Sequence, residues 1–85
     1  MFQNTFNSVI NTYQYLNMMG LTKIALENIN FKEGFQENLQ FSLISSDNDH
    51  IKFRDNIRQK VFEMKKEEPY SCGKFYYTIK ENVEL

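Results

Sequence analysis

The sequence predicts an α+β domain in which two helices pack on one face of a small antiparallel three-stranded sheet, in the order α-β-β-α-β. Three observations carry that expectation. Apolar residues recur at helical spacing in two stretches, and they alternate with polar residues in three others. The chain has 85 residues, 41% of them hydrophobic, with eight Phe and five Tyr, which is enough for one dense core and too little for two. A single domain over residues 1–85 is therefore expected.

Phe2, Phe6, Val9, Ile10, Tyr13 and Leu16 fall on one stripe at about 100° per residue, with Asn, Ser and Gln opposite. This predicts an amphipathic helix over residues 3–19, stopped by Gly20. Beyond it, Ile24, Leu26, Ile29 and Phe31 mix with polar residues in near alternation, and Leu39, Phe41 and Leu43 alternate with Gln40 and Ser42. With Lys32-Glu33-Gly34 as turn material between them, the two runs read as a β-hairpin with strands at 22–31 and 37–45. Thr22 to Ile29 would also make two turns of helix.

Ser45-Ser46-Asp47-Asn48-Asp49 is a cluster of capping and turn residues, and Phe53, Ile57, Val61 and Met64 follow it at helical spacing. A second helix is expected over 48–67, ended by Pro69. Ser71-Cys72-Gly73 then turns the chain into Lys74–Lys80, where Phe75, Tyr77 and Ile79 alternate with Tyr76 and Thr78. That run is the clearest strand in the chain.

Composition narrows function more than any motif does. A formal charge of −1 and a pI near 5.8 suit neither a protein that coats nucleic acid by neutralising phosphates nor an acidic mimic of DNA. Lys23 is the first charged residue, yet Asn4, Asn7, Asn11 and Asn17 interrupt the preceding segment too often for a secretory leader. Nowhere does an apolar run approach the roughly 18 residues of a membrane span. The lone Cys72 forms no internal disulfide, which fits a reducing, cytoplasmic location or a chain with no need of a staple. Phe, Tyr, Met, Ile, Asn and Lys dominate at the expense of Gly, Ala, Arg and Pro, a usage that reflects A+T-rich codons.

Catalytic and metal chemistry find little support. His50 and Cys72 are single, and no third group in the local sequence orients them as a nucleophile pair. Asp47 and Asp49 have the spacing of the first calcium ligands of an EF-hand, but Ile51, Lys52 and Arg58 stand where an oxygen ligand, Gly and Glu are required. One His and one Cys are too few for zinc, and three glycines make no phosphate loop. No cofactor and no metal are expected.

Surfaces for a partner are easier to name. On a helix over 48–67, Arg54, Arg58 and Lys65 would project from one flank with Phe62 beside them, joining bidentate donors to an aromatic anchor. On the last strand Lys74, Tyr76, Thr78 and Lys80 share one face, a basic row with an aromatic. The outer face of the first helix is uncharged, with Tyr15, Met18 and Met19, and is a candidate homodimer surface. These features lead to the expectation of a non-enzymatic regulatory or inhibitory protein that occupies a surface of a larger macromolecule, in the first instance a protein. A phage-encoded factor acting on a host protein or defence system fits that description. The alternative is an RNA- or single-strand-binding module. The expected partner-binding residues are Arg54, Arg58, Phe62, Lys65, Lys74, Tyr76 and Lys80, and no membrane is involved.

Overall fold

The computed structural model describes residues 8–82. A helix α1 (Ser8–Met19) is followed by five strands, β1 (Lys23–Glu27), β2 (Phe41–Ser46), β3 (His50–Asp55), β4 (Lys60–Pro69) and β5 (Lys74–Asn82). The strands form one antiparallel sheet in the order β1-β5-β4-β3-β2. The architecture is mostly β, and it overturns the expected α+β arrangement of two helices on three strands.

The first helix is present where the apolar stripe placed it, although residues 3–7 of the expected span lie outside the described residues. Gly20 ends it with φ +70°. The Leu21 amide donates to the Leu16 carbonyl (2.9 Å) and the Gly20 amide to the Asn17 carbonyl (3.3 Å), a closure that needs a left-handed residue at Gly20.

The second helix does not exist. Residues 50–69 form the β3–β4 hairpin instead, with His50 paired to Lys65 and Asp55 to Lys60. The inward positions of β3 are Ile51, Phe53 and Asp55, all buried, and those of β4 include Phe62 and Met64. Three of the inward positions carry charge, Asp55, Lys60 opposite it and, one step beyond Met64, Lys66. That hides the two-residue period, while Ile57 in the turn and Val61 on the outer face simulate a helical one.

The expected hairpin of 22–31 with 37–45 is also absent. β1 pairs with β5, Ile24 opposite Tyr77 and Leu26 opposite Phe75. At Asn28 the chain leaves the sheet, because the Tyr77 hydroxyl donates to the Glu27 carbonyl (2.9 Å) and accepts from the Ile29 amide (2.6 Å). Residues 28–40 then cross the inner face to the opposite edge, and Ile29, Phe31 and Phe35 are buried on the way. Phe31 lies against Tyr77 and Phe35 against Phe53, and the Val9 amide donates to the Gly34 carbonyl (3.1 Å), so the crossover runs beside α1. Helix and crossover together make the second layer over the sheet.

Between the layers sits an aromatic core. Tyr13 contacts Phe41, Phe53 and Phe62 with ring centroids 5.7, 5.3 and 4.6 Å away. Each such ring, fully buried, contributes roughly 1.5–3 kcal/mol. At the free edge of β2, Asn38 Oδ1 accepts from the Gln40 and Phe41 amides (2.8 and 2.9 Å) and Glu37 Oε2 from Leu43 (2.8 Å). These side chains occupy edge donors that would otherwise recruit another strand. No helix among the described residues is long and apolar enough to cross a membrane.

Candidate functional site on the exposed sheet face

One face of the sheet is covered by α1 and the crossover, and strand alternation sends every second residue to the other face. Register places those residues in cross-strand rows. Lys52, Glu63 and Lys80 stand side by side on β3, β4 and β5. The next row is His50, Lys65, Thr78 and Lys23, running from β3 to β1. Flanking these are Arg54 opposite Val61 on one side and Tyr76 opposite Ala25 on the other. Neighbouring strands lie about 4.8 Å apart, so the rows form a patch that a partner meets as one surface.

Local bonds order this patch. His50 on β3 has Nδ1 3.3 Å from Asp47 Oδ2 and Nε2 3.3 Å from Glu63 Oε2, so its ring bridges the β2–β3 turn and the sheet centre. Asp47 Oδ1 accepts from the amides of Asp49 (3.2 Å) and His50 (3.1 Å); the Asp49 amide is the main reason its carboxyl is held below the usual range. Thr78 Oγ1 donates to Glu67 (3.1 Å), and Arg54 Nε to Asn56 Oδ1 (3.2 Å). Lys23 Nζ lies 4.6 Å from the ring centre of Tyr76, which Tyr70 meets edge-on at 5.1 Å. Glu63, Lys65, Glu67, Thr78, Ile79 and Lys80 line a shallow groove of about 310 Å³ across β4 and β5.

Of the residues singled out from the sequence, Arg54, Lys65, Lys74, Tyr76 and Lys80 share this face, brought together by strands rather than by a helix flank. Arg58 and Phe62 do not join them. Phe62 points inward, 8% exposed, against Tyr13 and Phe53. Arg58 sits in the turn after β3, with Nη1 2.8 Å from the Tyr13 hydroxyl and 2.9 Å from Asp55 Oδ2. Sequence reasoning missed Lys23, Lys52 and Glu63. The alternation Lys52/Arg54 and Glu63/Lys65 would have marked Lys52 and Glu63, had 48–67 been read with a period of two, whereas Lys23 joins the face only through the pairing of β1 with β5.

Cys72 is exposed at the tip of the β4–β5 turn, while the ring contacts of His50 are to Asp47 and Glu63. Among the described residues no group of three or more His, Cys, Asp or Glu side chains is placed to hold a metal ion. Comparison of the chain with models of protein families, with curated proteins and with solved structures finds no match.

Proposed function

We propose that this chain is a non-catalytic binding protein, a regulatory or inhibitory factor that occupies an acidic patch on a larger protein through the exposed face of its sheet. One observation carries the reading: Lys23, Lys52, Arg54, Lys65, Lys74 and Lys80 converge on one face of a protein whose net charge is −1. A face rich in cations steers a negative partner. Glu27 opposite Lys74, Glu63 and Glu67 interrupt the cations, and Lys23 meets Glu68 at 4.0 Å, which favours a protein surface with charges of both signs over a continuous phosphate backbone. Tyr76 is the face's single aromatic within the strand rows, where single-strand binding by stacking uses several in succession. The exposed thiol of Cys72 suits a reducing, cytoplasmic setting, and the A+T-rich residue usage suits a phage factor directed at a host protein.

A photo-crosslinking amino acid at Thr78, compared with one at the exposed Glu33 behind the sheet, tests the assignment in the producing cell. Crosslinks to a protein from position 78 alone are expected. Crosslinks from position 33 alone, or to RNA, overturn it.

Self-association is a second reading with its own support. Tyr15, Met18, Met19 and Leu21 leave an apolar patch at the C-terminal end of α1, with Met18 75% exposed, a feature of surfaces that pair.

A further inference from the structure

On the inner side of the sheet Lys60 meets Glu81 at 3.6 Å, whereas Lys66 has surroundings unlike those of every other cation described above. Its Nζ lies 5.5 Å from the ring centre of Phe31 and 5.3 Å from that of Phe75, and 2.6 Å from Asn28 Oδ1. No carboxylate among the described residues lies within ion-pair distance of it. An ammonium has three donors, and one neutral amide oxygen fills one of them. Burial pulls the amine's pKa below its ordinary value, the charge of Asp49 opposing it, and two aromatic faces offset part of the desolvation cost.

Lys66 opens onto a cavity of about 300 Å³ between the start of the crossover and the β2–β3 turn. Asn28, Asn30, Asn48 and Lys32 line it with further polar groups, and Phe31 forms an apolar wall. The nearest acid in the lining, Asp47, is already engaged by the amides of Asp49 and His50 and by the His50 ring. Its charge is spent on the turn, and Asp49, whose carbonyl accepts from the Lys66 amide (2.8 Å), acts on the ammonium only through space, with no ion pair.

We propose that this cavity is a binding site for the oxyanion group, phosphate or carboxylate, of a small ligand, held by Lys66 with Lys32 and the asparagine amides. Such a group would fill the unused ammonium donors with charge-assisted hydrogen bonds, the strong class. The site lies on the opposite face from the proposed docking surface, so either can fail without the other.

Inorganic phosphate, acetate and succinate, titrated separately into the isotope-labelled protein, provide the test. Saturable amide shifts at Asn28, Phe31, Asn48 and Lys66 are expected, together with a rise in the Lys66 amine pKa as the anion favours its charged form. Phosphate acting alone assigns a phosphate ligand, and the carboxylates acting alone assign a carboxylate one. Lys66→Met keeps the stem between the two rings, escapes the desolvation cost and is expected to melt no lower than the wild type. It should weaken the anion by roughly tenfold or more, the loss of one charge-assisted bond. No saturable shifts with any of the three anions, or shifts that persist unchanged in folded Lys66→Met, overturn the proposal.

Discussion

The hydroxyl of Tyr13 on α1 donates to Oδ2 of Asp55 on β3 over 2.9 Å and across 42 positions of sequence. Asp55 is fully buried. Its carboxylate also accepts from the Ile57 and Arg58 amides (both 3.1 Å), from Arg58 Nη1 (2.9 Å) and, more distantly, from Gln40 Nε2 (3.4 Å). One side chain thus joins the helix, the end of the crossover and the β3–β4 turn. Replacing it with Asn sets a donor against donors in a dry site. Asp55→Asn should lower stability by about 3–5 kcal/mol, the usual cost of breaking a buried ionic network. Tyr13→Phe removes two bonds, the one to Asp55 and the donation from Arg58 Nη1 (2.8 Å), and should cost about 1–3 kcal/mol. Urea unfolding of both variants decides, and an Asp55→Asn protein as stable as the wild type would refute the role.

The same carboxylate sets an acid limit. Burial would raise its pKa, but donation from the Arg58 amide, Tyr13, the Arg58 guanidinium and Gln40 outweighs burial and holds it below the ordinary 3.8. A depressed folded value means the contribution is complete above the unfolded value and is lost as pH falls through the folded one. The melting temperature should hold from pH 7 to about 5 and drop below about 4. The Asp55 part of this drop should be missing in Asp55→Asn.

At the alkaline end Tyr13 acts with the opposite sign. Burial, then its hydrogen bond to Asp55 and that group's charge, push its pKa from 10.0 up to about 12. A raised folded value gives stability that is complete below pH 10 and lost as pH rises towards 12, on the order of 2–3 kcal/mol. Calorimetry between pH 9 and 12 should show the fall, and phenolate absorbance should place two tyrosines after the exposed ones: Tyr13 and Tyr77, whose pKa burial also raises.

Gln59 takes φ +58° in the four-residue turn between Asp55 and Lys60, a conformation that costs a side chain about 1 kcal/mol or more. Glycine adopts it freely but loses more entropy on folding. Gln59→Gly should therefore leave stability unchanged or raise it by up to about 1 kcal/mol, whereas Gln59→Val should lower it. Thermal melts of the two variants side by side check the order.

Gln59 also shows why the fold was only partly legible. A glycine there would have announced a turn in the middle of 48–67, and Gln does not. Asp55 and Lys66 occupy inward strand positions, so their polarity erased the alternation that Ile51, Phe53, Phe62 and Met64 otherwise follow. Asp47 belongs to a segment that suits a helix cap or a hairpin turn equally, because its side chain satisfies successive amides in both. Where inward positions are nearly all apolar, as in α1 despite its buried Thr12, and at Phe75, Tyr77 and Ile79, periodicity and structure agree. The partner face was half legible for the same reason: Lys74, Tyr76 and Lys80 came from a clean strand, while Arg54 and Lys65 were placed on a helix flank that does not form.

The apolar end of α1 yields a separate expectation. If Tyr15, Met18, Met19 and Leu21 pair two copies, sedimentation at micromolar concentration should show a dimer population, and Met18→Glu should remove it by burying a charge. A wild-type protein that stays monomeric at high concentration excludes this interface.

The exposed sheet face makes the sharpest demand, because it separates lysines that the sequence grouped with Arg58 from Arg58 itself. Lys65 and Lys80 both border Glu63 on the groove across β4 and β5, and neither makes a described ion pair within the chain. Reversing both should barely change stability, since exposed charges are worth only a few tenths of a kcal/mol each. Binding to an acidic partner should nonetheless fall by about tenfold or more, and its on-rate should lose its dependence on salt. Tyr76→Ala should cost about 1–2 kcal/mol of binding, the range of an aromatic anchor at an interface. Arg58→Gln should do the reverse of the lysine pair, lowering stability through Asp55 and Tyr13 while the surviving folded protein binds normally. The decisive comparison is therefore surface-plasmon kinetics of these variants against the crosslinked partner, at two salt concentrations. Full binding by the Lys65→Glu, Lys80→Glu protein would remove the sheet face from consideration.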